Sequence, residues 1–171
     1  MKIELKYGRE GLLVDLADDL DVTVIRKPTM PVIEDSDAAV ARALNNPVGV
    51  PSLRALAETA TSAAIAICDI TRPVPNGLFL RPMIEQLIGG GISADAITVI
   101  VATGLHRPNL GAELEELIGD AWVLREVKVV NHYARDDDAH VLVGKTKTRG
   151  SIIRLDRRFV DADLRIVTGL V

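Results

Sequence analysis

The 171-residue sequence is 48% hydrophobic, 3% aromatic and 26% charged, with a net charge of −4. A core built from Val, Ile, Leu and Ala suits buried parallel strands under helices. The mild acidity leaves no electrostatic footprint for nucleic acid, and no apolar run approaches the ~20 residues that cross a bilayer.

A single cysteine, Cys68, excludes an internal disulfide. With no basic, apolar and small-residue succession at the start of the chain, a cytoplasmic protein is expected. The largest basic cluster, Lys145 to Arg149, is short and contains Thr and Gly. It reads as a solvated strand end or turn.

Taken in chain order, Met1 to Tyr7 and Gly11 to Leu16 alternate polar and apolar, which predicts a small two-stranded ribbon. Val22 to Arg26 reads as a third strand, ended by Pro28. A helix follows over Ala38 to Leu44, capped by Asp35 or Ser36 and stopped by Asn45-Asn46-Pro47. Ser52 to Thr59 is a second helix with Ser52 as N-cap. The rhythm then changes. Ala63 to Cys68 is a continuous apolar strand, Asn76 to Ile88 a helix closed by Gly89-Gly90-Gly91, and Ala96 to Ala102 another strand. Asn109 to Ile118 is a helix closed by Gly119, Leu124 to Val130 a strand, and Leu164 to Val167 a last one. Strands alternating with helices imply crossovers and a parallel sheet. The chain stops directly after an apolar strand, which reads as a truncation such as a cut at a domain boundary, the other reading being a last strand that simply ends the sheet.

Ligands of parallel α/β sheets bind at the carboxyl ends of the strands. Three such ends here are polar: Asp69 to Pro73, Thr103 to Pro108, and Asn131 to Tyr133. Asp69 suits holding a neighbouring cation or imidazole, and Arg72 offers a planar fork for carboxylate or phosphate. A capping Asp and a surface Arg fit the same residues. His106 follows Thr103-Gly104, where glycine permits a tight turn and a close backbone approach to ligand, and imidazole exchanges protons near neutrality. A helix-capping histidine fits equally well. His132 reads as structural and His140, among Asp136, Asp137 and Asp138, as part of a solvated loop. The spacing of His132, Asp136 and His140 matches no zinc or EF-hand pattern, so no metal site is expected. Gly89-Gly90-Gly91 follows a helix rather than a strand and is no dinucleotide fingerprint. Cys68 reads as inert core and Trp122 as packing.

Asp69-Ile70-Thr71-Arg72-Pro73, Thr103-Gly104-Leu105-His106-Arg107-Pro108 and Val130-Asn131-His132, in this order, resemble the N-terminal part of the lactate racemase family. Asp161 to Gly169 is similar to that family's approach to its cofactor loop. The resemblance runs across nearly the whole chain. It implies a Rossmann-like α/β domain, with a mostly parallel sheet, flanking helices and a small N-terminal ribbon. Residues 1–171 would be a single N-terminal domain of a two-domain enzyme, with its cleft facing a missing C-terminal domain. Members are nickel-pincer enzymes that racemise or epimerise small 2-hydroxy acids, with a hydride passing to the cofactor and back while two histidines move the hydroxyl proton. Carried over by motif, His106 is one of those histidines, Arg72 anchors the substrate carboxylate, Asp69 and Thr71 support the same pocket, and Thr103 and Gly104 are cofactor contacts. The family's second catalytic histidine, the lysine bearing the nickel-pincer nucleotide and the nickel-ligating histidine follow the matched segment. The resemblance therefore implies a chain that is inactive alone. Two other readings stay open: a stand-alone module that binds a small anion without catalysis, and a partner-binding role for the last strand.

Overall fold

The computed structural model describes residues 1–170. They fall into two compact units, Met1–Val32 and the residues from Ile33 onward. In the first, β1 (Lys2–Leu5) and β2 (Leu12–Asp15) pair antiparallel, Lys2 opposite Asp15 and Leu5 opposite Leu12. Gly8 and Gly11 turn the chain between them at φ +57° and +81°, a region closed to most side chains. The expected strand over residues 22–26 does not form. Ile25 is 93% exposed and the segment has no ladder partner, so β-propensity alone has nothing to pair with.

The second unit opens with α1 (Ser36–Asn45), whose N-cap Asp35 accepts from the Ala38 amide at 2.8 Å. In α2 (Leu53–Ala57) the Ser52 hydroxyl accepts from the Ala55 amide at 3.3 Å. Four parallel strands follow: β3 (Ala63–Cys68), β4 (Ile97–Ala102), β5 (Lys128–Asn131) and β8 (Leu164–Val167), in the order β5-β4-β3-β8. The linking helices are α3 (Asn76–Gly89), α4 (Ala112–Ile118) and α5 (Ala121–Glu126). Before β8 the chain makes an antiparallel hairpin, β6 (His140–Lys145) with β7 (Ile152–Asp156), and a short helix, α6 (Arg157–Asp161). Lys145 ends β6 and the rest of the basic cluster lies in the hairpin turn, as expected of a solvated strand end.

Side chains alternate across the sheet, and this partitions the core. Ile65, Ile67, Val99 and Val101 pack against Leu80, Ile84, Leu87, Ile118 and Val123 of the helices on one face. On the opposite face Ala64 and Ile100 meet Ala162, with Phe159 and Val130 beside them. The glycine run after α3 is a helix stop, as its position implied. At Gly90 an added Cβ would lie 2.5 Å from Ala57 Cβ and 2.6 Å from the Arg54 carbonyl, so only glycine lets α3 end against α2.

Two boundaries differ from the expected ones. Residues 124–130 are not one strand: α5 runs to Glu126 and β5 starts at Lys128. Gly119, left-handed at φ +70°, closes α4, and Asp120 then caps a new helix by accepting from the Trp122 amide at 2.7 Å. With Arg125, Glu126 and Lys128 among its apolar residues, so short a segment suits either period, and the cap decides it. The helix expected from Asn109 begins at Ala112, because Asn109 is buried and committed to the loop. Trp122 packs against the core from α5, with the Arg81 guanidinium 5.0 Å above its ring.

Candidate active site

The strand register sets the site. Cys68 lies opposite Ala102, Val101 opposite Asn131, and Ala66 opposite Val167. The four parallel strands therefore release Asp69, Thr103, His132 and Thr168 along one rim. Between β3, β4 and β8 this rim encloses a cleft of about 360 Å³ lined by Asp69, Thr71, Arg72, Thr103, His106 and Thr168, over a floor that includes Cys68. Cys68 is thus half-buried at the cleft rather than inert core, because the strand ends there.

Asp69 is 5% exposed. Its Oδ1 accepts from the Thr71 hydroxyl at 2.6 Å and the Thr71 amide at 3.2 Å, and its Oδ2 meets His106 Nδ1 at 2.5 Å. Burial pushes the Asp69 carboxyl up, but the Thr71 hydroxyl, the His106 ring and the Thr71 amide outweigh it, and the net shift is downward. The ionised carboxylate only accepts, so Nδ1 of His106 carries a hydrogen, and in the neutral ring Nε2 is the free acceptor. No protein group engages Nε2 among the described residues, and the His106 side chain is 60% exposed at the cleft.

Arg72 and Arg107 have different fates. Arg107 is held by Glu113 through a two-point pair at 2.5 and 2.6 Å, which drives the Glu113 carboxyl down to about 2. Among the described residues Arg72 has no such partner; its guanidinium is exposed beside the cleft while its amide closes a turn onto the Asp69 carbonyl at 3.1 Å. Gly104 takes φ +57° in the turn where the His106 amide bonds the Thr103 carbonyl. Open space surrounds its Cβ direction, so it serves backbone conformation, and it does not line the cleft. Thr103 is 3% exposed and donates its hydroxyl to the His132 carbonyl.

Buried asparagines stitch the rim together. Asn131 Oδ1 accepts from the Asn109 amide and its Nδ2 donates to the Asn109 carbonyl, both at 2.9 Å. Asn109 Oδ1 in turn accepts from the Ile70 amide at 3.2 Å. One chain of bonds thus ties the ends of β5, β4 and β3. Sequence reasoning placed Asn109 in a helix and missed this. The available signal was an amide residue following Pro108 at a strand end, opposite another at Asn131.

His132 and His140 lie elsewhere on the rim. His132 Nδ1 donates to Asp156 Oδ2 at 3.0 Å, and Arg158 holds the same carboxylate. Burial raises the Asp156 carboxyl, Arg158 and His132 lower it, and the outcome is about 2. His140 begins a strand and edges onto the His132 ring, with centroids 4.9 Å apart, so it does not sit in a solvated loop. Its hairpin was not expected from the sequence.

A family model described as the lactate racemase N-terminal domain matches residues 7–171. The chain belongs to this family. It is 33% identical over 172 residues to the lactate racemase of Lactiplantibacillus plantarum, covering 99% of this chain and 40% of that protein. The lactate racemase of Thermoanaerobacterium thermosaccharolyticum is 31% identical over 171 residues, covering 99% and 39%. The chain therefore spans about two fifths of the length of these curated relatives. The solved structure of the lactate racemase apoprotein from T. thermosaccharolyticum superimposes with a TM-score of 0.77 at 29% identity, over 98% of this chain and 38% of that one. A Thermotoga maritima protein structure shares the fold alone, with a TM-score of 0.55 at 18% identity over 77% of this chain and 32% of the other. The Rossmann-like domain expected of a lactate racemase N-terminal segment is thus the one observed. No helix among the described residues is long and apolar enough to cross a membrane.

The fit of the nickel-pincer nucleotide to this wall can be tested on the donor set. The residues lining the cleft include no lysine and a single imidazole, His106. Covalent attachment is therefore not supplied by these residues, and one imidazole by itself is too few ligands to hold a metal. What they offer is an oriented base, an anion fork and hydroxyl groups.

Proposed function

We propose that this chain forms one wall of a racemase or epimerase active site for small 2-hydroxy acids, completed by a C-terminal part of the parent protein. The observation that carries the proposal is the Asp69–His106 pair beside an uncommitted Arg72, on adjoining strand ends of one cleft. A nickel-pincer nucleotide, held by protein beyond this wall, would supply the hydride chemistry.

The remaining work falls to residues of this chain. Arg72 binds the substrate carboxylate with its planar fork, fixing the hydroxyl-bearing carbon relative to His106. His106 Nε2 takes the hydroxyl proton and later returns it. Asp69 fixes the tautomer and stabilises the imidazolium that forms. Thr71 locks Asp69, and Thr103 and Gly104 shape the turn that carries His106. Burial of Asp69 and its bonds to Thr71 support this division, because the carboxylate cannot rotate away without losing both.

The test uses the parent protein loaded with cofactor and nickel, with chiral analysis of lactate and longer 2-hydroxy acids. Interconversion is expected, abolished in His106→Ala. Arg72→Ala should lower kcat/KM by ~10- to 100-fold, the worth of a charge-assisted pair of about 1.5–3 kcal/mol. Unchanged chirality of every acid tried, or full activity in His106→Ala, refutes the proposal. The 171-residue chain alone should not racemise. If lactate or phosphate binds it saturably while the loaded parent is inactive, the anion-binding reading replaces this one.

A further inference from the structure

The His132–His140 pair lies outside the machinery just described, and its hydrogen bonds place a hydrogen on each Nδ1. His132 Nδ1 faces Asp156 Oδ2 at 3.0 Å, and the Arg158 guanidinium holds both oxygens of that carboxylate. His140 Nδ1 faces the Asp136 backbone carbonyl at 2.6 Å. Both partners only accept, so both Nδ1 atoms carry hydrogen. The two Nε2 atoms face one another 3.4 Å apart, and when both rings are neutral each presents a bare lone pair there. Two acceptors this close repel unless a proton or a metal ion sits between them.

We propose that His132 and His140 form a binding site for a single divalent transition-metal ion of the Zn²⁺ class. Nitrogen ligands at the usual 2.0–2.1 Å in tetrahedral geometry stand about 3.3–3.4 Å apart, which is the spacing seen here. The rings meet at 83° with centroids 4.9 Å apart. That is closer than two imidazoles aligned head-on through a linear hydrogen bond, and it matches nitrogens converging on a common point. Each ligand also has the orienting partner that metal-bound histidines require, a carboxylate on one and a backbone carbonyl on the other. Arg158 fixes the orienting carboxylate in turn, through Oδ1 at 2.9 Å and Oδ2 at 2.5 Å. Among the described residues no group of three or more His, Cys, Asp or Glu is arranged to hold a metal ion. The site is therefore a two-histidine one, with water or an added ligand filling the open positions. The spacing of His132, Asp136 and His140 gave no metal pattern because Asp136 contributes its backbone oxygen, not its carboxylate, and orients a ligand instead of being one.

The site is tested on the untagged 171-residue chain near neutral pH, by Zn²⁺ titration calorimetry and by ¹⁵N-resolved imidazole spectra. One Zn²⁺ per chain is expected, with the Nε2 resonances of His132 and His140 moving and those of His106 unmoved. His140→Gln, checked for folding by circular dichroism, should weaken binding by ~10- to 100-fold, the range that loss of even an orienting partner produces. His106→Gln should leave Zn²⁺ affinity unchanged. No binding of Zn²⁺, or equal affinity in His140→Gln and the unaltered chain, overturns the proposal and leaves a pair that shares only a proton.

Discussion

Replacing Asp69 by Asn tests the Asp69–His106 arrangement at the level of a single proton. Two donors, the Thr71 hydroxyl at 2.6 Å and the Thr71 amide at 3.2 Å, converge on Oδ1. In Asp69→Asn they select the carbonyl oxygen for that position, which places the NH₂ where Oδ2 met His106 Nδ1 at 2.5 Å. The new amide donates to Nδ1, so the ring must carry its hydrogen on Nε2. The free nitrogen facing the cleft changes from acceptor to donor and no longer takes a proton. Loss of the charge-assisted bond removes about 1.5–3 kcal/mol of support for the imidazolium. That alone slows a proton transfer by ~10- to 100-fold, and the wrong tautomer slows it further. Long-range ¹H–¹⁵N correlation on the chain reads the tautomer directly, and chiral assay of the cofactor-loaded parent reads the consequence. A proton on Nε2 in the unaltered chain, or an unchanged tautomer in Asp69→Asn, refutes the reasoning before any activity is measured.

Other expected outcomes follow from the same geometry. Asp156 is 7% exposed and its carboxyl falls from an ordinary 3.8 to about 2, corresponding to about 2 kcal/mol of stability. Because the folded value is the lower one, this stability is present above pH 3.8 and is lost as pH falls through about 2. Urea denaturation across that range should show the loss, and Asp156→Asn should flatten it. Gly90→Ala forces a Cβ to 2.5 Å from Ala57 Cβ and 2.6 Å from the Arg54 carbonyl, and should cost about 1–3 kcal/mol by the same assay. An unchanged midpoint would mean that α2 and α3 part easily. Asn131→Ala strands the Asn109 amide and carbonyl, both buried, at about 1–3 kcal/mol each. Hydrogen exchange should show the loop at residues 103–110 opening first.

The sequence by itself determined the parts whose physics is local. Ala63–Cys68 is a continuous apolar run and Ile97–Ala102 one broken only by Thr98, because the strands are covered on both faces, and both form as expected. Asp35, Ser52 and Gly119 carry capping chemistry within a few residues of the helices they bound, so those ends were legible too. The polar residues at the strand ends marked the rim, and their order marked the family. Tertiary structure decided the rest. Residues 22–26 have strand propensity and no edge to pair with, while residues 121–126 fit either period until Asp120 caps a helix. Asp69 and His106, 37 residues apart, become a pair only through the parallel register of β3 and β4, which no local pattern encodes. Asn109 meets Asn131, and His132 meets Asp156 and His140, for the same reason: loop and hairpin residues acquire partners from whichever strand ends the sheet sets beside them.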